Sequence, residues 1–327
     1  MKPYVGRPGA IPSLLRNTTV QLEYEVDVAK ELTREQTEQP IGARTLEIVS
    51  SEAAKAPGLK DAVLTTEDPE AVHNLRVSIR RIRSAIRALG PYLPPAVSGL
   101  DEPFHQLFEE LGRVRDLDIT CGVWKQLGIP EPAGAEVLDR LHATRAGAKL
   151  LLTVSLAREG PLDALVKAVK KKPLATPAGL KPSLAVAPDL VRQAYRSAHQ
   201  AVQKLERDSP PEDIHRVRRR VKRLRYTVEF FAEAYGKPAD KLIEHLRGLQ
   251  DLLGEHQDSL LVARTLHEFP DLSEDARRYA RQSILELETK TLRLRRKILK
   301  AADDFVGKAW DALKKRMEKE QKRASQV

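Results

Sequence analysis

Two stretches of the 327-residue sequence carry most of its chemistry. His73, Arg76, Arg80, Arg83 and Arg87 recur in steps of three and four. His215, Arg218, Lys222 and Arg225 repeat the series 142 residues later, and it breaks only at Glu229, where the first stretch has Arg87. Arg81, Arg219 and Arg223 lie beside these rows. On a helix this spacing places a cationic group on every turn or so, and the span from His73 to Arg87 is about 21 Å. Such a row suits a long polyanion better than a single small ligand. Arginine is apt for phosphate, because its fork of donors engages two oxygens at once and it stays charged at physiological pH.

The net charge of +10 is local. Between Val72 and Arg87 there are five Arg and no acid, and between His215 and Arg225 there are seven Lys or Arg and no acid. Removing those 12 from +10 leaves −2, so the excess predicts an anionic partner at one place. Arginine-rich helices that serve only as solvated faces carry Glu or Asp at i ± 4 to neutralise themselves, and these two have almost none. Arg113 and Arg115, flanking Val114, are further candidates for the same basic site, with surface placement the other reading.

The elements that must position these rows are amphipathic helices. One residue before each row position runs an apolar seam, Val72, Leu75, Ile79, Ile82, Ile86 and Leu89. Ile214, Val217, Val221, Leu224, Val228 and Phe231 answer it at the same offset of 142. One residue is about 100° around a helix, so the cations border the buried face. Asp68-Pro69-Glu70 marks the first start, an Asp N-cap with Pro in the first turn, and Ser209-Pro210-Pro211-Glu212 has the spacing of a capping box. A following helix carries Phe104, Leu107, Leu111 and Val114, answered by Leu246, Leu249, Leu253 and His256. Leu111-Gly112 and Asp116 match Leu253-Gly254 and Asp258. A gapless match from about 72 to 118 implies an internal duplication, two halves related by a pseudo-twofold axis.

The remaining helical stretches are Leu14 to about Glu38, Ala43 to Ala56 (ended by Pro57-Gly58), Ala135 to about Lys172 with a break at Gly160-Pro161, and Ser273 to about Lys322. The expected organisation is an N-terminal segment and leading helix (1–44), a first helical half (45–172), a Pro-rich linker (173–188) and a second half (189–322). No run of strand alternation flanked by hairpin turns stands out. The fold class is all-α, two helical bundles of four-helix type with a basic groove or central cavity.

Other chemistry is sparse. Cys121 is the only cysteine, which rules out an intramolecular disulfide and a cysteine-based zinc cage and fits a reducing cytosol. No stretch of 18 apolar residues or signal-like N-terminus occurs, so a cytoplasmic protein with no membrane partner is expected. Glu70-x-x-His73 and Glu212-x-x-His215 have the spacing of di-iron carboxylate bundles. The neighbouring cations oppose a dication, however, and N-terminal capping explains the glutamates, so no metal or cofactor is expected. His73 and His215 read either as phosphate contacts or as neutral interior residues bonded to Asp116 and Asp258. If they contact phosphate, binding should strengthen as pH falls toward 6. There is no P-loop, dinucleotide fingerprint or His-Glu-x-x-His.

VHNLRVSIRRIRSAIRAL followed by LGRVRDLD, and IHRVRRRVKRLRYTVEFF followed by LQDLLGEHQD, resemble the CHAD family, the conserved histidine α-helical domain. The resemblance implies two symmetry-related helical bundles, a basic surface or central cavity, and binding of inorganic polyphosphate without catalysis. It marks His73, Arg76, Arg80, Arg81, Arg83, His215, Arg218, Lys222, Arg223 and Arg225 as the matching basic positions. Association with polyphosphate granules is implied in the same way. Sulfate or phosphate ions would mimic the ligand. Nucleic acid, the alternative partner, is expected only as a non-specific competitor, since aromatics are 5% of residues and neither stacking platforms nor a base-reading helix is evident. A phosphatase acting on phosphate polymers is the less favoured enzyme reading.

Overall fold

The computed structural model describes residues 39–171, 176–269, 271–303, 305 and 307–324. The helix expected between Leu14 and Glu38 lies outside them. The described residues form twelve α-helices and two short 3-10 turns, and their only β pairing is an isolated bridge between Pro40 and Pro182. The first-half helices are α1 (Ile41–Thr65), α2 (Pro69–Leu89), the single turn α3 (Pro95–Ser98), α4 (Asp101–Gln126), α5 (Ala133–Ala157) and α6 (Pro161–Lys170). The second half comprises α7 (Ser183–Gln203), α8 (Pro211–Phe230), the single turn α9 (Ala232–Tyr235), α10 (Lys237–His267), α11 (Glu274–Asp303) and α12 (Gly307–Ala324). None of these helices is long and apolar enough to cross a membrane.

The two seams are buried throughout. All twelve side chains, from Val72 to Leu89 on α2 and from Ile214 on α8 to Phe231 just past its end, have at most 4% of their surface exposed. Each such residue stabilises the fold by about 2 kcal/mol relative to an exposed one. The α2 seam enters a core with α1, the first half of α4, the end of α5, and α6. The α8 seam enters one with α7, α10, α12 and the end of α11, joined by Ile41 and Leu89 from the first half. A third core joins the halves: Cys121 and Trp124 of α4 and Val137 and Leu141 of α5 pack with Val262 and Leu266 of α10 and Ala280 and Leu287 of α11. Long helices make this possible, since α4 at about 39 Å and α10 at about 46 Å reach from their own half into the shared core. α2 also touches α8, and α4 touches α10.

Several local expectations need correction. α1 does not stop at Pro57-Gly58 but runs on to Thr65. Both residues face solvent, so the proline ring lies outside the core and the helix passes it at the cost of the one bond to the Ala53 carbonyl. The Pro-rich stretch expected to be linker up to residue 188 enters helix at Ser183, with Pro188 inside α7. The capping box at Ser209 does not form. The Ser209 hydroxyl instead accepts from Glu206 N–H, and α8 starts after Pro210 with Pro211 in its first turn. Asp68 caps α2 as its type predicts, accepting from Glu70 N–H at 2.9 Å. The helical stretch from Ser273 onward is two helices, α11 and α12. Tyr195 of α7 stacks on Trp310 of α12 with ring centroids 3.7 Å apart.

His256 occupies its seam position as a packing residue. It is 1% exposed, and neither ring nitrogen has a hydrogen-bond partner among the described residues. Burial, with a smaller contribution from Arg295, lowers its pKa to about 4. A depressed base favours the fold fully above its unfolded value near 6.5, and that advantage is lost as pH falls toward 4. The wild type should lose about 2 kcal/mol more than His256→Leu between pH 7 and 4.5, as read from urea unfolding at both pH values.

Candidate functional site

The cationic rows meet where α2 and α4 of the first half face α8 and α10 of the second. The field of Arg218 reaches Arg76, and Lys222 feels Arg218, Arg80, Arg76 and Arg225. The inner members Arg76, Arg80, Arg218 and Lys222 therefore form one electrostatic cluster drawn from both rows. Burial first, and then these neighbours, push the Lys222 ammonium well below the ordinary lysine value. Arg76 is lowered to about 10, again mainly by burial. Among the described residues, neither Arg80 nor Lys222 has an acid within salt-bridge reach.

Arg76 is held rigidly. It donates to the Phe108 carbonyl at 2.7 Å and lies over the Phe108 ring, 3.8 Å from its centroid, with Arg83 at 5.5 Å from the same ring. Its guanidinium crosses α4 at Gly112, where an added Cβ would stand 3.0 Å from Nη1. Gly254 on α10 lies under Arg218 in the same way, with more room, 3.8 Å to Nη2. The matched Leu-Gly pairs of the sequence are thus seats for arginines, a role their spacing alone did not reveal.

Two carboxyls face the cluster. Asp116 lies near Arg76 and Arg115, and Asp258 near Arg218, Lys222, Arg115 and Lys290; burial is the largest influence on both and raises their pKa values. Each also feels or exerts the other's charge, since Asp258 contributes to the rise at Asp116. His73 is lowered to about 4 by burial and by Arg115, Arg80 and Arg76. His215 is lowered chiefly by burial, against a bond between Nδ1 and Gln257 Oε1 at 3.3 Å. Both histidines are thus less basic than free imidazole, and His73 is neutral across the neutral pH range. A phosphate beside His73 would raise the imidazole pKa again, and affinity would then strengthen as pH falls through the bound value.

The outer members are placed differently. Arg81 pairs with Glu52 of α1 at 3.3 Å, and Arg83 with Asp101 of α4 at 3.3 Å. Arg87 has 63% of its side chain exposed and approaches Asp101 at 3.9 Å. Arg225 is bound to Glu229 at 2.8 Å, and Arg247 approaches the same carboxylate at 3.6 Å, so the departure at Glu229 neutralises the far end of the second row. Arg219 and Arg223 are exposed on the outer shoulder of α8, Arg219 within the field of His215 and Arg223 beside Arg87 and Arg220. Arg113 is exposed. Arg115 is buried, 3.8 Å from Glu70, and belongs to the cluster. The α2 row is therefore acid-free from Val72 to Arg87 but not among its neighbours.

The arrangement is suited to holding a multivalent anion. Among the described residues no group of three or more His, Cys, Asp and Glu stands in metal-holding proximity, and Glu70, the partner in the Glu-x-x-His spacing, is turned toward Arg115. The Cys121 thiol is 7% exposed and its pKa is raised, chiefly by burial, as for an inert core thiol.

The seat at Gly112 makes a paired prediction. Gly→Ala inside a helix ordinarily adds up to about 1 kcal/mol of stability. Gly254→Ala should show that gain, whereas Gly112→Ala should show none or a loss, because Arg76 must shift from the Phe108 carbonyl. Chemical denaturation of the two variants side by side checks this.

Comparison with known proteins places this architecture. The sequence model of the CHAD domain matches residues 47–267. Two uncharacterized proteins of Mycobacterium tuberculosis, Rv2226 and MT2285, are each 29% identical over 219 residues. The match takes in 62% of this chain and 41% of each relative, so the chain spans about two-fifths of the length of these curated relatives. Among solved structures, the crystal structure of the CHAD domain from the plant Ricinus communis superposes with a TM-score of 0.63 at 21% identity, over 82% of this chain and 93% of that one. PptA from Streptomyces chartreusis gives 0.59 at 18% identity, over 84% and 100%. At these identities the structural likeness speaks for the fold.

Proposed function

The chain belongs to the CHAD domain family, and from that premise we propose that it binds inorganic polyphosphate between the cationic rows of α2 and α8, as a module without catalytic activity. The family is linked to polyphosphate binding in general. The observation that carries the reading for this chain is the convergence of Arg76, Arg80, Arg218 and Lys222 from two acid-poor rows, at a depth where Lys222 is pushed far below its ordinary pKa. Cations held this close together without a matching set of acids are a cost to the folded protein. A multivalent anion removes that cost. His73, Arg115 and His215 border the ligand in this reading, while Arg83, Arg87, Arg219 and Arg223 extend the attraction outward along the surface. Arg81, paired with Glu52, adds to the field rather than to direct contact. Residues 45–172 and 189–322 supply the two halves of the site, and a cytoplasmic setting at polyphosphate granules suits such a module.

Nucleic acid is the second reading, since any basic cleft attracts a phosphate backbone. The cluster offers few aromatic faces for bases, Phe108 being already covered by Arg76. Long-chain polyphosphate titrated against single-stranded and duplex DNA at about 0.15 M salt and above distinguishes the two. Strong preference for polyphosphate, with competition by sulfate or phosphate, is expected. Equal or tighter DNA binding would sink the proposal. Release of phosphate from the polymer would make the protein an enzyme.

Lys222→Met separates ligand binding from folding. It should raise stability by about 1 kcal/mol, because a buried cation among cations is removed. The same change should weaken polyphosphate binding and lower the slope of log affinity against log salt by about one. Linkage fixes the sign of any pH dependence at Lys222: bound polyanion raises its lowered pKa, so affinity falls with rising pH, and less so in Lys222→Arg, as titrations at neutral and alkaline pH check. Unchanged affinity in Lys222→Met would show that the cluster does not hold the ligand.

A further inference from the structure

The α5 helix carries a face that the basic site does not use. From Ala143 to Ala157 its only charged residues are Arg145 and Lys149, and both turn inward. Arg145 donates to Asp118 at 2.5 Å and Glu67 at 3.1 Å; Lys149 is 4% exposed and donates to the Thr66 carbonyl at 2.8 Å. The outward face is left without charge over about 21 Å, in a protein whose residues are 31% charged. Leu150, Leu151 and Val154 lie on it with 65%, 67% and 48% of their surface exposed. Unlike Leu285 and Leu292, exposed leucines set among charged neighbours on α11, they form a continuous stripe.

The order of residues along this stripe specifies its occupant. Ala143, Gly147, Leu150 and Val154 are spaced by 4, 3 and 4, the seam of a two-helix coiled coil. The two small residues come first and the two bulky ones follow. A parallel pairing would set glycine on glycine and leucine on leucine, leaving a gap beside a bulge. An antiparallel twofold pairing sets Leu150 on the partner's Gly147 and Val154 on the partner's Ala143, and symmetry repeats both contacts. The same register brings exposed Asp139 to the partner's Arg158, an opposite charge at each end of the stripe. We infer that this face binds a second copy of the chain, through an antiparallel α5–α5 pair centred between residues 148 and 149. A stripe three to four turns long lies at the small end of specific interfaces, below about 1,200 Å² in total, so the association should be weak, with a dissociation constant in the micromolar range. The inference does not depend on the polyphosphate reading.

Sedimentation velocity of the full chain across low to high micromolar concentrations tests it. The wild type should shift from monomer to dimer, and Leu150→Glu should remain a monomer with unchanged helicity and melting temperature. Gly147→Leu is the sharper variant. A Cβ at Gly147 meets nothing within 4 Å, so the change should leave the monomer as stable or more so while abolishing the dimer by collision with the partner's Leu150. Asp139→Arg should weaken dimerisation, and adding Arg158→Asp should restore it. A wild type that stays monomeric throughout overturns the inference, as does a Gly147→Leu protein that dimerises normally. A fall in melting temperature for Leu150→Glu would place another stretch of the same chain on this face. Co-sedimentation of the monomer with phosphatidylcholine vesicles would make the occupant lipid. Either result overturns the proposal.

Discussion

The structure holds like charges together against their own repulsion. Arg76, Arg80, Arg218 and Lys222 converge from two helices, and nothing in their own chemistry favours that convergence: desolvation and mutual repulsion both lower the pKa values of Arg76 and Lys222. What opposes them is the pair of apolar seams one residue away, twelve side chains buried almost completely. Each contributes about 2 kcal/mol, a sum large enough to absorb a concentrated electrostatic cost. Asp116 and Asp258 offset part of that cost without neutralising it. The helices are fixed in place by hydrophobic packing, and the cations they carry are brought together as a consequence.

This division explains what the sequence made legible. Burial of a helix face follows from spacing in three and four, so both seams, both rows and the all-helical fold could be read directly. The partners of the charged residues could not. Glu52 and Asp101, which pair with Arg81 and Arg83, belong to α1 and α4, and only the tertiary arrangement brings them near. Phe108 and the seats at Gly112 and Gly254 were hidden for the same reason, since a helical glycine beside a leucine has no spacing signature. Local signals also misled where a competing local bond won, as at Ser209, whose hydroxyl serves Glu206 instead of α8. Pro57 misled because α1 is packed into the core on both sides of it, at Ala53 and at Val63, and withstands the loss of the one hydrogen bond that proline removes.

The shared third core changes how the halves are to be regarded. Each half has its own seam-centred core, yet the far ends of α4 and α10 pack side by side with α5 and α11. The basic cluster therefore lies between elements tied together by apolar contacts beyond the site. This favours a fixed spacing between the two cationic rows over one that changes.

One clamp outside the cationic cluster joins the two halves. Arg44 near the start of α1 donates from Nε at 3.2 Å and Nη2 at 2.8 Å to the carbonyl of Phe230, the last residue of α8, across 186 positions of sequence. It thereby satisfies a backbone acceptor that the end of α8 leaves open. The bond joins the first half to the second across a long stretch of sequence, and closing so long a loop carries an entropic cost that slows the docking of α8 onto α1.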